Sequence, residues 1–299
     1  MSLQYDIVHR TVYRYHEPVG FGPHRVMFRP RDSHDQRVLA TDLQVSPQSE
    51  VRMIQDPHSN SIALVQPQGQ AQELAIVASF SIEHVHAPSW DFPLSPSAEA
   101  LPVAYGVGER LDLEHYLRPH HDDPDGALAR WARGFLLREG ETGTRDMLLR
   151  MNRTIREEFS YAARDEEGTQ PPLQTLERRA GSCRDFALLM MEAVRRLGLA
   201  ARFVTGYLHD PALDPAPGLA KGETVTGAGA THAWLQVYLP GAGWVEFDPT
   251  NDRAGGQGLV RVAVVRDPAQ AAPVSGTWTG DPKAYAGMDV SVQVTLRRT

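Results

Sequence analysis

Three residues of this chain, Cys183, His232 and Asp248, have the types and the order that acyl-transfer chemistry needs. A thiol becomes a nucleophile when a base takes its proton, and the base works best when a third group holds it in place. Cys183 is the one cysteine among 299 residues, and a lone cysteine is most often a small buried hydrophobe. Its neighbours argue otherwise. Ser182-Cys183-Arg184-Asp185 has the S-x-x-D form of a capping box, and Phe186, Met190, Val194 and Leu197 follow on one helical face before Gly198. Cys183 then takes the first helical position, off the apolar stripe. Free N–H groups and the positive end of the helix dipole favour a thiolate there. Asp185 reads first as the capping carboxylate and Arg184 as a solvated charge. Their alternative role, beside a reactive thiol, is contact with substrate.

Twelve histidines could serve as the base, so surroundings decide among them. His120-His121-Asp122-Asp123 reads as a polar surface segment leading into a helix, and His9, His84 and His86 lie in strand patterns. His232 differs. "THAWLQVYLPGAGWVEFDPTN" reads as two strands joined by a Pro-Gly-containing turn, with Asp248 near its end. A connecting loop of three or five residues sets His232 opposite Thr250 and Trp234 opposite Asp248. His232 and Asp248 are then diagonal neighbours on one face, roughly 7–8 Å apart at the backbone. A four-residue loop, Pro240 to Gly243, puts them on opposite faces unless a bulge intervenes. The pairing therefore predicts an odd loop or a bulge. Trp234 falls on the same face, as a wall of a substrate cleft or as a cross-strand packing aromatic.

The elements that must position these residues form an α+β chain. Residues 1–95 read as a β-rich N-terminal domain, a sandwich or barrel. "LQYDIVHRTVYRY", "QRVLATDLQVSP", "EVRMIQDP", "SIALVQPQG" and "ELAIVASFSIEHV" carry strand patterns between Pro, Gly and Asn punctuation. Residues 96–110 read as a linker, and 111–299 as the catalytic core. In the core, "DPDGALARWARGFLLREG" and "TRDMLLRMNRTIREEFSY" have helical period, with Met147, Met151, Ile155 and Phe159 spaced four apart. "ARFVTGYL" is a strand ahead of the hairpin, Pro211 to Gly229 is loop-like, and "MDVSVQVTLRR" alternates as a closing strand of the core.

Composition sets outer limits. Apolar residues make up 41% and charged residues 22%, with a net charge of −7 and no basic block, so neither nucleic acid nor an anionic membrane is expected as a partner. No apolar run approaches the roughly 18 residues of a membrane span. The opening Met-Ser-Leu-Gln-Tyr-Asp lacks the form of a signal peptide. With a single cysteine, an internal disulfide is impossible, and a cytoplasmic location is expected. There is no HExxH or paired-cysteine spacing, so no metal or other cofactor is expected.

Together these stretches resemble the transglutaminase-like (papain-like) superfamily, in its bacterial, cysteine-protease-like form. "AGSCRDFALLMMEAVRRLGLAARFVTGYL" is similar to its cysteine helix and following strand, and "THAWLQVYLPGAGWVEFDPTN" to its His and Asp hairpin. "HRTVYRYHEPV" with Arg29-Pro30-Arg31 resembles the β-rich N-terminal domain of one bacterial branch, and "RVAVVRDPAQAAPVSGTWTG" the stretch after the Asp. Two places depart from that branch: Ser59-Asn60 stands where Gly-Asn is usual, and Val265-Arg266-Asp267-Pro268 where Gly-Arg-Asp-Tyr is usual. The resemblance implies a Cys-bearing helix packed on an antiparallel sheet. It implies Cys183 as nucleophile attacking an amide carbonyl, His232 as base and then acid, and Asp248 as the orienting group. The Cys183 backbone N–H is the natural oxyanion donor. The implied partner is a peptide, protein or other amide substrate, and hydrolysis is the expected outcome. Protein-glutamine cross-linking to amines and a non-catalytic peptide-binding module are the alternatives.

Overall fold

Alternation of buried and open side chains along Ser2–Val26 makes a single 25-residue strand, β1, with Tyr5, Ile7, His9 and Thr11 facing inward. The computed structural model describes residues 2–85, 92–164, 168–209 and 231–297. Strands β2 (Gln36–Ser46), β3 (Ser49–Gln55), β4 (Ser61–Pro67) and β5 (Gln70–Val85) complete the N-terminal meander. Their order in the sheet is β2-β5-β1-β4-β3. His86 lies outside the described residues.

The segment read as a linker is part of the core. It carries β6 (Ala100–Leu101) and α1 (Val107–Asp112), and Tyr105 Oη donates to the Tyr238 carbonyl at 3.0 Å and accepts from the Ala200 N–H at 2.9 Å. Pro and Ser there mark tight turns rather than a tether. Short helices α2 (Glu114–Leu117) and α3 (Ala127–Arg133) follow, then β7 (Thr142–Gly143) paired with β6. Helix α4 (Thr144–Glu158) buries Met147, Met151 and Ile155 as its period predicts, and Phe159 packs just beyond its end. β8 (Ser160–Tyr161), α5 (Pro172–Arg178) and β9 (Ala180–Gly181) lead into α6 (Cys183–Arg196).

Helix α6 is central rather than amphipathic. Only Arg184 and Arg196 of its residues escape full burial, and even Glu192 and Arg195 are paired inside at 2.9 Å. The four-residue stripe is therefore too narrow an account: the whole helix is core. It packs on a five-stranded antiparallel sheet of β10 (Ala201–Leu208), β11 (Thr231–Leu239), β12 (Gly243–Asp248), β13 (Arg253–Ala254) and β14 (Leu259–Val265), ordered β13-β12-β11-β10-β14. Pro211 to Gly229, read as a loop, lies outside the described residues.

The C-terminal strand does not close the core. β15 (Val274–Thr279) and β16 (Tyr285–Arg297) both pair with β1, making the N-terminal sheet seven-stranded. The alternation of Val290, Val292, Val294 and Leu296 identifies a strand but carries no information about its neighbour, and β1 had a free side over Gln4–Tyr15. The chain thus begins and ends in one sheet.

The two sheets meet along β14, the edge strand of the core. Gln36 uses its side-chain amide as a substitute strand partner. It donates to the Arg261 carbonyl at 2.9 Å and accepts from the Arg261 N–H at 2.8 Å. Asn60 does the same to Val264, at 2.8 and 3.0 Å. Asp56 holds Asn60 from behind, and Ser59 adopts a left-handed φ of 61° to deliver it, which is why a glycine is suited to that position. Removing the amide with Asn60→Ala leaves both polar groups of a buried backbone unit without partners. The expected loss is about 2–4 kcal/mol in urea unfolding; a loss under about 0.5 kcal/mol would mean that water replaces the amide.

Candidate active site

The head of α6 is built around one carboxylate. Asp185 has no exposed surface. Its Oδ2 accepts from the Ser182 N–H at 2.8 Å and the Ser182 hydroxyl at 2.9 Å, and its Oδ1 accepts from the Gln170 N–H at 2.8 Å and Arg164 Nη1 at 2.9 Å. This completes the capping arm expected at N3. It also removes Asp185 from the candidate substrate contacts, because four donors occupy the carboxylate and none of it faces a cleft. Arg184 stays half-buried next to the thiol, with Nη2 at 3.4 Å from the Arg164 carbonyl.

The hairpin supplies the other two residues. Leu235 pairs with Phe247 and Leu239 with Gly243, so the loop is Pro240-Gly241-Ala242, three residues. Carried outward, this register sets Trp234 opposite Asp248 and His232 opposite Thr250, as an odd loop requires. Gly241 at φ 92° makes the turn, and a Cβ there would lie 2.5 Å from the Ser95 nitrogen.

His232 Nε2 and Asp248 Oδ2 are 2.9 Å apart, and neither side chain has exposed surface. Asn251 Nδ2 donates to the same Oδ2 at 2.8 Å and the Thr250 N–H to Oδ1 at 3.0 Å. Burial alone would lower the imidazole pKa, but the charge and hydrogen bond of Asp248, joined by Cys183, outweigh it and raise it. Burial likewise pushes the Asp248 carboxyl up, and the charge and hydrogen bond of His232, with Asn251, bring it below its ordinary value. With Nε2 taken by Asp248, Nδ1 is the free ring nitrogen and makes no fully formed hydrogen bond. Cys183 lies within electrostatic reach of that ring and adds to the upward shift of its pKa.

Cys183 itself is only 6% exposed. Trp234 is completely buried, its ring stacked on His232 at 6.0 Å between centroids and 25° between planes. It packs with Val204, Leu208, Leu259 and Val264, so it lines the back of the imidazole and not a substrate cleft. Gly206 makes room for it: a Cβ there would lie 2.0 Å from the Val260 carbonyl oxygen and 2.9 Å from the Trp234 ring.

One residue near the thiol carries no signal in the sequence. Tyr161, in β8, pairs in parallel with Gly181 of β9 and is 41% exposed. Burial raises its phenol pKa, and Cys183, Asp185 and Asp248 raise it further against Arg184. The phenol thus stands within electrostatic reach of both the thiol and the carboxylate. Only the parallel bridge brings it there. His120 and His121 use their backbone N–H groups on Glu192 at 3.1–3.2 Å, consistent with an anchored surface segment. His9 is a satisfied core residue, with Nδ1 at 3.0 Å from Tyr207 Oη and Nε2 at 3.3 Å from Thr11 Oγ1.

Comparison with known proteins agrees with this architecture. Residues 130–249 match the transglutaminase-like superfamily and residues 5–83 the bacterial transglutaminase-like N-terminal region. An uncharacterized protein of Mycobacterium tuberculosis is 29% identical, over 97% of this chain and 92% of its own length. One of Mycobacterium leprae is 27% identical, over 97% of each. A crystal structure from Cytophaga hutchinsonii, provisionally described as a cysteine protease, superposes with a TM-score of 0.73 at 20% identity. That superposition covers 100% of this chain and 92% of that one. At this identity it establishes the shared fold.

The buried pair gives a pH-dependent prediction. His232, raised above 6.5, stabilises the fold fully below that value and ceases to do so as pH rises through its folded pKa. Asp248, depressed below 3.8, contributes above that value and ceases to do so as pH falls through its folded pKa. Asp248→Ala is therefore expected to cost about 3–5 kcal/mol between about pH 4 and 6.5, and less at higher pH. NMR titration of the His232 ring should also show its midpoint falling in Asp248→Asn; an unmoved midpoint would contradict the pairing.

Proposed function

Because residues 130–249 belong to the transglutaminase-like superfamily, following a bacterial transglutaminase-like N-terminal region, we propose that the protein is a cysteine-dependent acyl-transfer enzyme. It acts on amide bonds through Cys183, His232 and Asp248 and releases the acyl group to water, as a peptidase or amidase does. The observation that carries this reading is the orientation of His232: Asp248 holds Nε2, Nδ1 has no hydrogen-bond partner, and the ring is within electrostatic reach of a thiol at a helix N-terminus.

In the forward step the Cys183 sulfur, its proton already held on Nδ1 of the charged imidazole, bonds to the carbonyl carbon. The tetrahedral oxyanion forms beside the Cys183 backbone N–H, which has no partner within the helix at its first position. Collapse breaks the carbon–nitrogen bond, and the imidazolium delivers the proton to the departing amine, leaving a thioester. Water then attacks with Nδ1 as base, the carboxylic acid leaves, and the thiol is restored. Asp248 keeps the ring oriented and offsets its positive charge throughout. Arg184, half-buried next to the nucleophile, is positioned to meet the substrate chain. The lone thiol suits a reducing, cytoplasmic setting.

Iodoacetamide labelling of Cys183 across pH tests the reading. The native protein should label rapidly at pH 6, and His232→Ala should label about 100-fold more slowly there. A thiol silent until about pH 9 in both proteins would return Cys183 to a packing role. Mass spectrometry of a peptide library, with and without a primary amine, should find cleaved peptides in both; amine adducts without cleavage would identify cross-linking instead.

A further inference from the structure

The face of the core sheet that carries His232 and Asp248 holds a second set of polar side chains that the chemistry above does not use. Cross-strand register sorts this face into rows. Arg261, Gly206 and His232 form one row, continued by Thr250; Val204, Trp234 and Asp248 form the next; Arg202, Gln236 and Glu246 form the third. The third row is hydrogen-bonded across its strands: Arg202 Nε donates to Gln236 Oε1 at 2.8 Å, and Gln236 Nε2 to Glu246 Oε1 at 3.0 Å. Arg261, from the first row, donates through Nη1 to that same Glu246 Oε1 at 2.6 Å. Its guanidinium therefore straps the first row to the third across the row that contains Trp234 and Asp248.

The far side of the strap belongs to the N-terminal domain. Arg261 Nη1 also donates to Asp35 Oδ2 at 2.9 Å, Nη2 donates to Ser33 Oγ at 2.7 Å, and Nη2 is paired with Asp35 Oδ1. Gln36 grips the Arg261 backbone on both its N–H and its carbonyl. Arg261 is 7% exposed and Glu246 3%, so a guanidinium released by Asp35 has no solvent to turn to, and a carboxylate released by Arg261 would be left charged inside. The arrangement is rigid for that reason.

We infer that Arg261 is a positioning residue for the His232–Asp248 pair, and that the N-terminal β domain, through Asp35 and Ser33, fixes the geometry of the catalytic hairpin. This rests on the catalytic reading of Cys183, His232 and Asp248. The N-terminal region then governs how well the imidazole is aimed at the thiol. A displacement of about 1 Å at a reacting group can cost as much as a hundredfold in rate, so a strap that defines the spacing of three rows is large enough to matter.

Asp35→Ala tests this in the full chain, since Asp35 holds the Arg261 guanidinium that bonds Glu246 of the hairpin. Arg261→Lys is the second variant, keeping the charge while losing the fork that spans Asp35 and Glu246. Two readouts are measured: iodoacetamide labelling of Cys183 from pH 5 to 9, and solvent exchange of the His232 Nε2 proton by NMR of histidine-labelled protein. Both variants are expected to slow labelling at pH 6 by about tenfold, moving the profile toward that of His232→Ala, and to speed exchange of the Nε2 proton by about tenfold. A lowered melting temperature with both readouts unchanged would overturn the proposal and leave Arg261 a brace between domains. If the native protein shows no His232-dependent labelling at pH 6, the catalytic reading fails, and the exchange rate alone decides whether Arg261 positions the pair.

Discussion

His232 and Asp248 meet at 2.9 Å with no exposed surface on either side chain, and almost everything else in the core serves to make that meeting possible. A carboxylate withdrawn from water is tolerated only when its lone pairs are filled, and here the imidazole, Asn251 and the Thr250 backbone fill them. Two strands must then present the residues on one face, which a three-residue turn does and a four-residue turn would not. Trp234 closes the back of the ring, and Gly206 is small enough to let it. The parity of one tight loop thus decides whether a base exists.

The nucleophile is positioned by the opposite device. A helix buried at nearly every residue cannot shift along its axis without disturbing most of the contacts it makes, and α6, with only Arg184 and Arg196 half-buried, is such a helix. Its first turn is fastened by Asp185 to the chain before it, through Ser182, Gln170 and Arg164. Gly181 permits this approach, since a Cβ at that position would lie 2.8 Å from Asp185. Helix head and hairpin are rigid for different reasons, one by packing and one by register. A reactive pair assembled from two such parts needs little reorganisation when substrate arrives.

Features that depend on local sequence were legible before the fold was known. The capping box, the helix period of α4 and the strand alternation of β1 and β5 all follow from neighbours a few residues apart, whereas an odd hairpin loop or a bulge followed only from supposing that His232 and Asp248 pair. What could not be read is long-range. β16 has the alternation of a strand, yet nothing in it points to β1 rather than to the core sheet. Tyr161 comes within electrostatic reach of the thiol through a two-residue parallel bridge that no pattern announces. Trp234 shows the limit of parity arguments: its face was predictable, but whether that face is open to solvent or, as here, leaves the ring completely buried depends on what covers it. Asp185 shows the same for charge, since its cap role was visible and its complete burial was not.

The N-terminal domain reaches that face through Ser33 and Asp35 on Arg261, and it meets the core sheet along β14. An edge strand exposes unpaired N–H and carbonyl groups that would otherwise recruit a further strand. β14 is met on its outer side by two side-chain amides, Gln36 and Asn60, each satisfying one donor and one acceptor of the same residue, and by the Arg31 N–H, which also donates to the Arg261 carbonyl at 2.9 Å. A primary amide has the donor and acceptor spacing of a peptide group, so it can occupy a ladder position without committing a backbone strand. The N-terminal sheet therefore keeps its own register, set by β1, while still terminating the core sheet. Because β15 and β16 return to β1 after the core is complete, the core is threaded between two parts of that sheet. Opening the amide contacts would expose the β14 edge and release the Arg261 side chain together, which couples the integrity of the interface to the geometry of the hairpin.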